Sequence, residues 1–430
     1  MPERAPLREM TIAVRDGSHG THRRLRDGVP FLSAKNITSS GKIVFDDNDE
    51  RISERDFSLL NRSYALEEGD LLLTIVGTLG RRAIHDGRRI TFQRSVAYIR
   101  PDPTRVSSGF LFHWFGHPEF QTELRRRSNA TAQAGVYLGE VAETLVPDFP
   151  LEEQEIITSI LGALDRTILA TRSLIGKLSL TRGALMHDLL TRGLDEDGSL
   201  RPSFVDAPDR YKPSPSGWIP VEWQPSTIGR EFEVQLGKML DSARSRGTSK
   251  LYLGNKAVQW DRIDMSEAQR VCLSPAELAR FRLQAGDLLV CEGGEVGRAA
   301  IWQEEGAECY YQKALHRLRP RNGFHPRILL EFLRVWMSTD ALSEYVSKTS
   351  IAHLPKEKLE IVPLPVPPSD EQERLVGLML ESKDRVETAQ RDFRKLELLR
   401  TALANDLLTG RVRVTPLLAA GAEPELEGAG

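Results

Sequence analysis

Cysteine is scarce in this chain, with three residues among 430: Cys272, Cys291 and Cys309. Their spacing is too wide for a zinc knuckle, and an odd number cannot all pair with one another. Neither a disulfide framework nor a structural zinc site is expected to organise the protein. All three lie in segments that read as β, where buried thiols are the expectation. Long apolar runs are missing too. No stretch reaches the roughly 18 apolar residues that would span a bilayer. The opening Met1-Pro2-Glu3-Arg4-Ala5-Pro6 has no charged-then-apolar leader pattern. A cytoplasmic protein without a membrane partner is the expectation. Charge of one sign is also lacking. Lys and Arg total 58 against 61 Asp and Glu, for a net charge of -3.

That balance hides a distribution. Residues 1–150 and 218–367 each sum to about +1, residues 151–217 to about -2, and 368–430 to about -3. Basic residues cluster inside the positive segments, at Arg23-Arg24, Arg81-Arg82 and Arg125-Arg126-Arg127. Local patches set phosphate affinity more than net charge does. DNA binding is therefore permitted, though not announced.

Catalytic signatures are few. The turns Gly77-Thr78-Leu79-Gly80-Arg81 and Gly293-Gly294-Glu295-Val296-Gly297-Arg298 lack the lysine-serine/threonine ending of a nucleotide-binding loop. His113 and His117 have the spacing of a metalloprotease pair, but Trp114 stands where the glutamate is needed. An aromatic core helix is the better reading. Arg182 and His187 have the spacing of some helical ribonucleases, yet both lie on a heptad helix, and Arg400 is followed by Asn405 instead. No methyltransferase loop, helicase motif or nuclease core emerges.

What is present, twice, is a pattern of punctuation. Gly69-Asp70-Leu71-Leu72 and Gly80-Arg81 recur as Gly286-Asp287-Leu288-Leu289 and Gly297-Arg298, at an offset of 217. Pro147, Pro150 and Glu153-Gln154-Glu155 recur as Pro365, Pro368 and Glu371-Gln372-Glu373, at an offset of 218. Asp188-Leu189-Leu190-Thr191 recurs as Asp406-Leu407-Leu408-Thr409 at the same offset. The period is too long for a solenoid. It marks a duplicated domain-plus-helix unit, which suits a pseudo-twofold ligand such as duplex DNA.

Each copy reads as an α/β domain followed by a long helix. Residues 71–76 and 95–99, with 288–291 and 314–318 in the second copy, read as strands between glycine turns. Residues 110–127 and 327–345 read as helices. From about 152 to 192, and from 369 to 409, the chain contains neither proline nor any obvious break. Ile157, Leu161, Leu164, Ile168, Thr171, Ile175, Leu178, Arg182, Leu185 and Leu189 alternate steps of four and three, which is a heptad seam. Adding 218 gives Leu375, Met379, Ser382, Val386, Ala389, Phe393, Leu396, Arg400, Leu403 and Leu407. The matched register predicts that the two helices, each roughly 60 Å long, pair with one another. Ser369 and Gln372 form a capping-box pattern at the second start.

Two duplicated α/β domains, each followed by a proline, a Glu-Gln-Glu turn and a long helix, resemble the specificity subunits of Type I restriction-modification systems. The strings Arg15-Asp16-Gly17-Ser18-His19-Gly20-Thr21 and Gly28-Val29-Pro30-Phe31-Leu32-Ser33-Ala34-Lys35-Asn36-Ile37 look like the opening of a target-recognition domain. Gly217-Trp218-Ile219-Pro220 with Trp223 looks like the opening of a second. The first copy has no counterpart to residues 218–223, which suggests an upstream start or a missing strand. The resemblance implies a first target-recognition domain over 1–150 and a spacer helix over 151–193. A linker over 194–217 leads to a second domain over 218–367, a second spacer helix over 368–410 and a flexible tail over 411–430. The implied fold is α/β plus long α-helices paired as an antiparallel coiled coil.

The implied function is non-catalytic recognition of a bipartite double-stranded DNA site in host defence. The implied partners are two adenine methyltransferase subunits and restriction subunits. S-adenosylmethionine, ATP and magnesium would belong to those partners, with no cofactor or metal in this chain. Candidate DNA contacts follow from loops that combine small residues, cations and amides. In the first domain they are His19, Thr21, Arg23, Arg24, Arg81, Arg82, Gln93 and Arg94. In the second they are Arg244, Arg246, Lys250, Arg298, Gln312 and Lys313. Lys35 and Lys256 fall at equivalent positions. The coiled-coil seam is carried by Ile157, Leu161, Leu164, Ile168, Ile175, Leu178, Leu375, Met379, Val386, Phe393, Leu396 and Leu403. Ile160, Leu174, Leu378 and Leu399 lie off the seam and are candidates for contacting methyltransferase subunits. Three other readings compete: a solitary two-domain DNA-binding protein, a nuclease using Glu381-Ser382-Lys383, and a coiled-coil scaffold.

Overall fold

The computed structural model describes residues 2–62, 65–128, 135–240, 247–303, 308–339, 341–348 and 352–415. The chain forms two compact units. One comprises Met1–Ser173 with Arg391–Gly430, the other Leu174–Gln390. No described helix is long and apolar enough to cross a membrane.

In the first unit a four-stranded antiparallel sheet runs in the order Thr11–Asp16, Val96–Pro101, Leu71–Thr74, Arg82–Ile84. Leu71 pairs with Ile99 and Leu73 with Ala97. These four point into a core with Phe110, Leu111, Trp114 and Phe115. Leu72, Val96 and Tyr98 face the other way, into a second core with Leu32 and Phe92. Because both faces are covered, Leu71, Leu72 and Leu73 run apolar in succession instead of alternating. A smaller three-stranded sheet, Arg51–Ile52, Val29–Leu32 and Thr91–Phe92, closes the second core.

The second unit repeats the plan, with strands Phe232–Leu236, Leu315–Pro320, Leu288–Cys291 and Ala299–Ile301. Cys291 and Cys309 lie in its second core, and burial pushes both thiols up to about 11. They remain protonated and inert near neutral pH.

Some local features differ from the expectations. Residues 110–127 form two helices, Ser108–Phe115 and Pro118–Arg126, because Pro118 cannot continue the first and instead occupies the first turn of the next. The second copy is a single helix, Pro326–Ser338. Arg4–Pro6 pairs with Leu145–Pro147 just as Gln224–Thr227 pairs with Pro363–Val366. Arg4–Pro6 is thus the counterpart of Gln224–Thr227, the strand that follows residues 218–223, and not of that segment itself. The inter-copy segment is folded as well. Tyr211–Ser214 and Gly217–Pro220 make a hairpin, and Arg201 is buried beside Glu371. Residues 416–430 of the expected tail lie outside the described residues.

The long helices span Leu151–Thr191 and Ser369–Leu408. Each ends at a glycine with positive φ, Gly193 or Gly410. In the first unit they pair antiparallel: Arg400 binds Asp165 at 3.0 Å, and Arg172 lies over Phe393 at 5.2 Å. In the second unit Leu178, Arg182 and Leu185 share a cleft with Leu378, Ser382 and Arg385. Ile157, Leu161, Leu375 and Met379 are fully buried where the helices meet the domain cores. Leu164, Ile168, Ile175, Leu178, Val386, Phe393, Leu396 and Leu403 are half-buried along the seam.

The repeated Glu-Gln-Glu string explains how helix and domain join. Gln154 accepts from the Ser107 amide at 2.9 Å and donates to the carbonyls of Arg105 and Phe149. Gln372 accepts from the His325 amide at 2.8 Å and donates to Pro367. Gln372 therefore ties helix to domain and is not spent on the capping box with Ser369. The preceding glutamates each hold an arginine that follows the other helix: Glu153 takes Arg413 at 2.9 Å, and Glu371 takes Arg201 at 2.6 Å.

Candidate nucleic-acid interface

In each unit the loops that carry the candidate residues meet at one end of the four-stranded sheet. In the first unit the chain leaves the sheet after Asp16, and the amides of Gly17 and Ser18 donate to Val96 and Phe92 at 3.2 and 3.0 Å. Arg94 in turn donates its amide to Ser18 at 3.1 Å, and Gln93 to Leu32 at 2.9 Å. Next to them Ile75, leading into the glycine turn, donates to Ser95 at 2.9 Å. The second unit uses the same bonds: Gly237 to Leu315, Lys238 to Tyr311, Lys313 to Lys238, Gln312 to Leu253, and Glu292 to Ala314. Glycine is required at the crossing. A Cβ on Gly17 would stand 2.3 Å from the Phe92 carbonyl oxygen, and one on Gly237 would stand 2.2 Å from that of Gln312.

His19, Thr21, Arg23, Arg24 and Arg94 are exposed around this end, with Gln93 half-buried beneath them. His19 binds Asp16 at 2.7 Å, while Arg24 covers Phe31 and pairs with Glu50 at 2.8 Å. Lys313 is exposed and Gln312 half-buried at the matching place in the second unit. Other candidates do not join the cluster. Arg81 donates from its guanidinium to the Ile37 carbonyl at 3.1 Å, and Arg298 to that of Asn255 at 2.8 Å. Both pin the glycine turn to the short 3-10 helix beside it. Lys250 lies within the strand Thr248–Leu253, paired with Glu308, whose carboxyl it holds below the usual range. Arg244 and Arg246 lie outside the described residues. Lys35 pairs with the buried Asp49 at 2.8 Å, an ion pair that raises the lysine.

Arg82 is drawn inward. It donates to the Phe112 carbonyl at 2.6 Å and lies against the Phe112 ring. Burial, reinforced by the nearby charge of Arg400, lowers its guanidinium to about 10. Buried between these arginines and Asp165, His113 is lowered to about 4, chiefly by its loss of solvent. This group fastens domain to helix and offers no groove contact. His117 caps the next helix and binds Asn405 at 2.8 Å.

Residues overlooked in the sequence include Lys238, which is buried and bound to Glu277. Its signal was the Gly237-Lys238 pair matching Gly17-Ser18, hidden because the offset there is 220. Lys383 of the nuclease alternative is bound to Asp261 at 2.8 Å, and Ser382 donates to the Met379 carbonyl.

Such an end suits duplex DNA: exposed cations and amides stand on loops whose backbones are fixed by a rigid sheet. Comparison with known proteins bears on which such proteins the chain resembles. A Methanocaldococcus jannaschii protein assigned as the MjaX type I restriction enzyme specificity subunit is 21% identical over 430 residues, covering 95% of this chain and 93% of that one. The MjaVIII specificity subunit of the same organism is 20% identical over 376 residues, covering 85% and 84%. A solved Type-I restriction-modification S subunit from M. genitalium has the same fold, with a TM-score of 0.56 at 14% identity, covering 94% of this chain and 96% of that one. The Type I restriction modification DNA specificity domain model matches twice, over residues 24–179 and 220–387, so the chain belongs to that family as a DNA specificity subunit with two recognition domains.

Proposed function

We propose that this chain is the non-catalytic recognition subunit of a Type I restriction-modification complex. Each α/β unit reads one half of a split duplex site, and the long helices set the unread gap. Two adenine methyltransferase subunits, and restriction subunits in the full complex, supply the chemistry. S-adenosylmethionine, ATP and magnesium act in those partners, where the target base is flipped out for methylation. The observation that carries this reading is the repeated loop end. One chain of the specificity family builds the same backbone platform twice and furnishes each copy with different exposed side chains.

The helices also leave apolar surface unspent. Leu174, Leu180, Leu398 and Leu399 are exposed by 49%, 78%, 72% and 47%. Leu180 and Leu398 are repeat equivalents, which suits a partner present in two copies. Ile160 and Leu378, by contrast, pack against the domain cores.

The test is co-expression with the adenine methyltransferase of the same system, followed by mapping of modified adenines across host DNA. Methylation confined to a split sequence with a fixed gap is expected. A co-purifying complex that adds no methyl group would overturn the reading. Tight, site-specific binding by the isolated chain, with no complex formed, would favour the solitary DNA-binding protein instead.

A further inference from the structure

A third segment reaches the same end of the sheet in both units. In the first, Gly135 bridges Val76, and the Val136 amide donates to Ile75 at 2.9 Å. In the second, His353 bridges Gly293, and the Leu354 amide donates to Glu292 at 2.8 Å. These bonds coincide when 217 or 218 is added, so the segment belongs to the duplicated scaffold. It runs directly alongside the strand exit that leads into the glycine turn.

The two copies agree and differ in an informative way. Val136 and Leu354 are buried anchors, 4% and 0% exposed. The flanking positions share no chemistry: Gly135 answers to His353, and Tyr137 to Pro355. Tyr137 is 71% exposed, the largest exposure of any described aromatic side chain. Two other elements of this end behave oppositely, whereas the early loop also differs, with Ser18 answering to Lys238 and His19 to Met239. Gly80-Arg81 and Gly297-Arg298 are identical, and Gln93-Arg94 and Gln312-Lys313 nearly so. Side chains that are the same in two domains cannot make those domains read different sequences. Those that differ on a common backbone can. Beside the second copy, a cavity of about 480 Å³ has an apolar wall of Trp336, Met337, Leu342 and Ala352, with Glu295 and Ser343 also lining it. Such a surface offers the contact a thymine methyl takes in a major groove.

We propose that residues 135–137 and 353–355 are base-reading segments, in which Tyr137 discriminates within the half-site of the first domain and His353 within that of the second. A phenol or an imidazole presents donor and acceptor groups to base edges. The matched Gln-Arg and Gln-Lys pairs grip the backbone without regard to sequence. This inference rests on the recognition function proposed above.

The experiment compares Tyr137→Phe, Tyr137→Ala and His353→Ala, each in the complex with its methyltransferase, by mapping methylated adenines. The Tyr137 variants should relax preference about tenfold at one or more positions of one half-site. His353→Ala should do the same in the other half only, and binding to unrelated duplex at low salt should be unchanged for all three. Unchanged preference in every variant overturns the inference while leaving the recognition function intact. So does loss of assembly in Tyr137→Ala combined with unchanged preference in Tyr137→Phe and His353→Ala, because both residues would then be structural or silent. The unmodified complex separates the two levels: if it methylates no split site, the recognition function itself fails.

Discussion

Arg182 and Arg400 occupy the same position of the repeat, yet each meets a different acid. Arg182 reaches Glu331 at 2.5 Å, where the glutamate is 1% exposed. Arg400 reaches Asp165 at 3.0 Å, where the aspartate is 34% exposed. The positions equivalent to Glu331 and Asp165 are His113 and Lys383, so the acid has moved from the domain helix to the long helix between copies. In the second unit Arg327 and Arg334 also stand 4.0 and 3.4 Å from Glu331. Removing one member of a buried pair leaves a charge without compensation, whereas an exposed pair loses little. Arg182→Ala should therefore destabilise the protein by about 3 kcal/mol, at the low end because Arg327 and Arg334 remain. Arg400→Ala should cost about 1 kcal/mol or less. Urea denaturation of both variants measures the difference. Equal losses would show that burial of the acid does not govern these sites.

At the scale of the element, the join between domain and long helix depends on a glutamine in each copy. Gln372 satisfies the His325 amide and the Pro367 carbonyl, and is itself 6% exposed. Gln372→Ala would leave both groups without that partner, at about 1–3 kcal/mol for each unsatisfied buried group. A fall of about 2–4 kcal/mol is expected, with Gln154→Ala showing a similar loss because Gln154 is equally enclosed and makes one bond more. A change within experimental error for either variant would mean that water replaces the side chain.

The sequence showed that these strings repeat but not what they do, since their partners, Ser107 and His325, lie 47 residues away in each copy. The same contrast holds elsewhere. Heptad spacing is local, so both long helices and their seam were legible from the order of apolar residues. Pro118 was equally legible as a helix start, and reading through it merged two helices into one. Arg81 and Arg82 were not separable by inspection: neighbouring arginines on a turn point to opposite sides, and only the packed helix at Phe112 makes one of them internal. Linker composition misled for a similar reason. Arg201 is ordered by Glu371, a residue 170 positions away.

At the scale of the whole molecule, neither half of the sequence makes a unit by itself. Each unit takes its α/β domain and the start of the following helix from one copy, and the end of the other long helix from the other copy. Leu407 and Leu408 lie in the first unit's core, while Leu189 and Leu190 lie in the second's. This arrangement fixes what a domain exchange must preserve. Replacing residues 218–367 with the equivalent region of a relative leaves both long helices intact, and with them the element proposed to set the gap. The incoming domain must supply an amide at position 325 for Gln372, and an indole at position 223, where Trp223 donates to Glu371 at 3.1 Å. A chimera that keeps these contacts should assemble with the methyltransferase. It should recognise a site in which one half is new while the other half and the spacing are retained. Methylation mapping would show this directly. A chimera that altered both halves would mean that recognition is shared between the domains. One that altered the spacing would mean that the domain, and not the helix pair, sets the distance between half-sites.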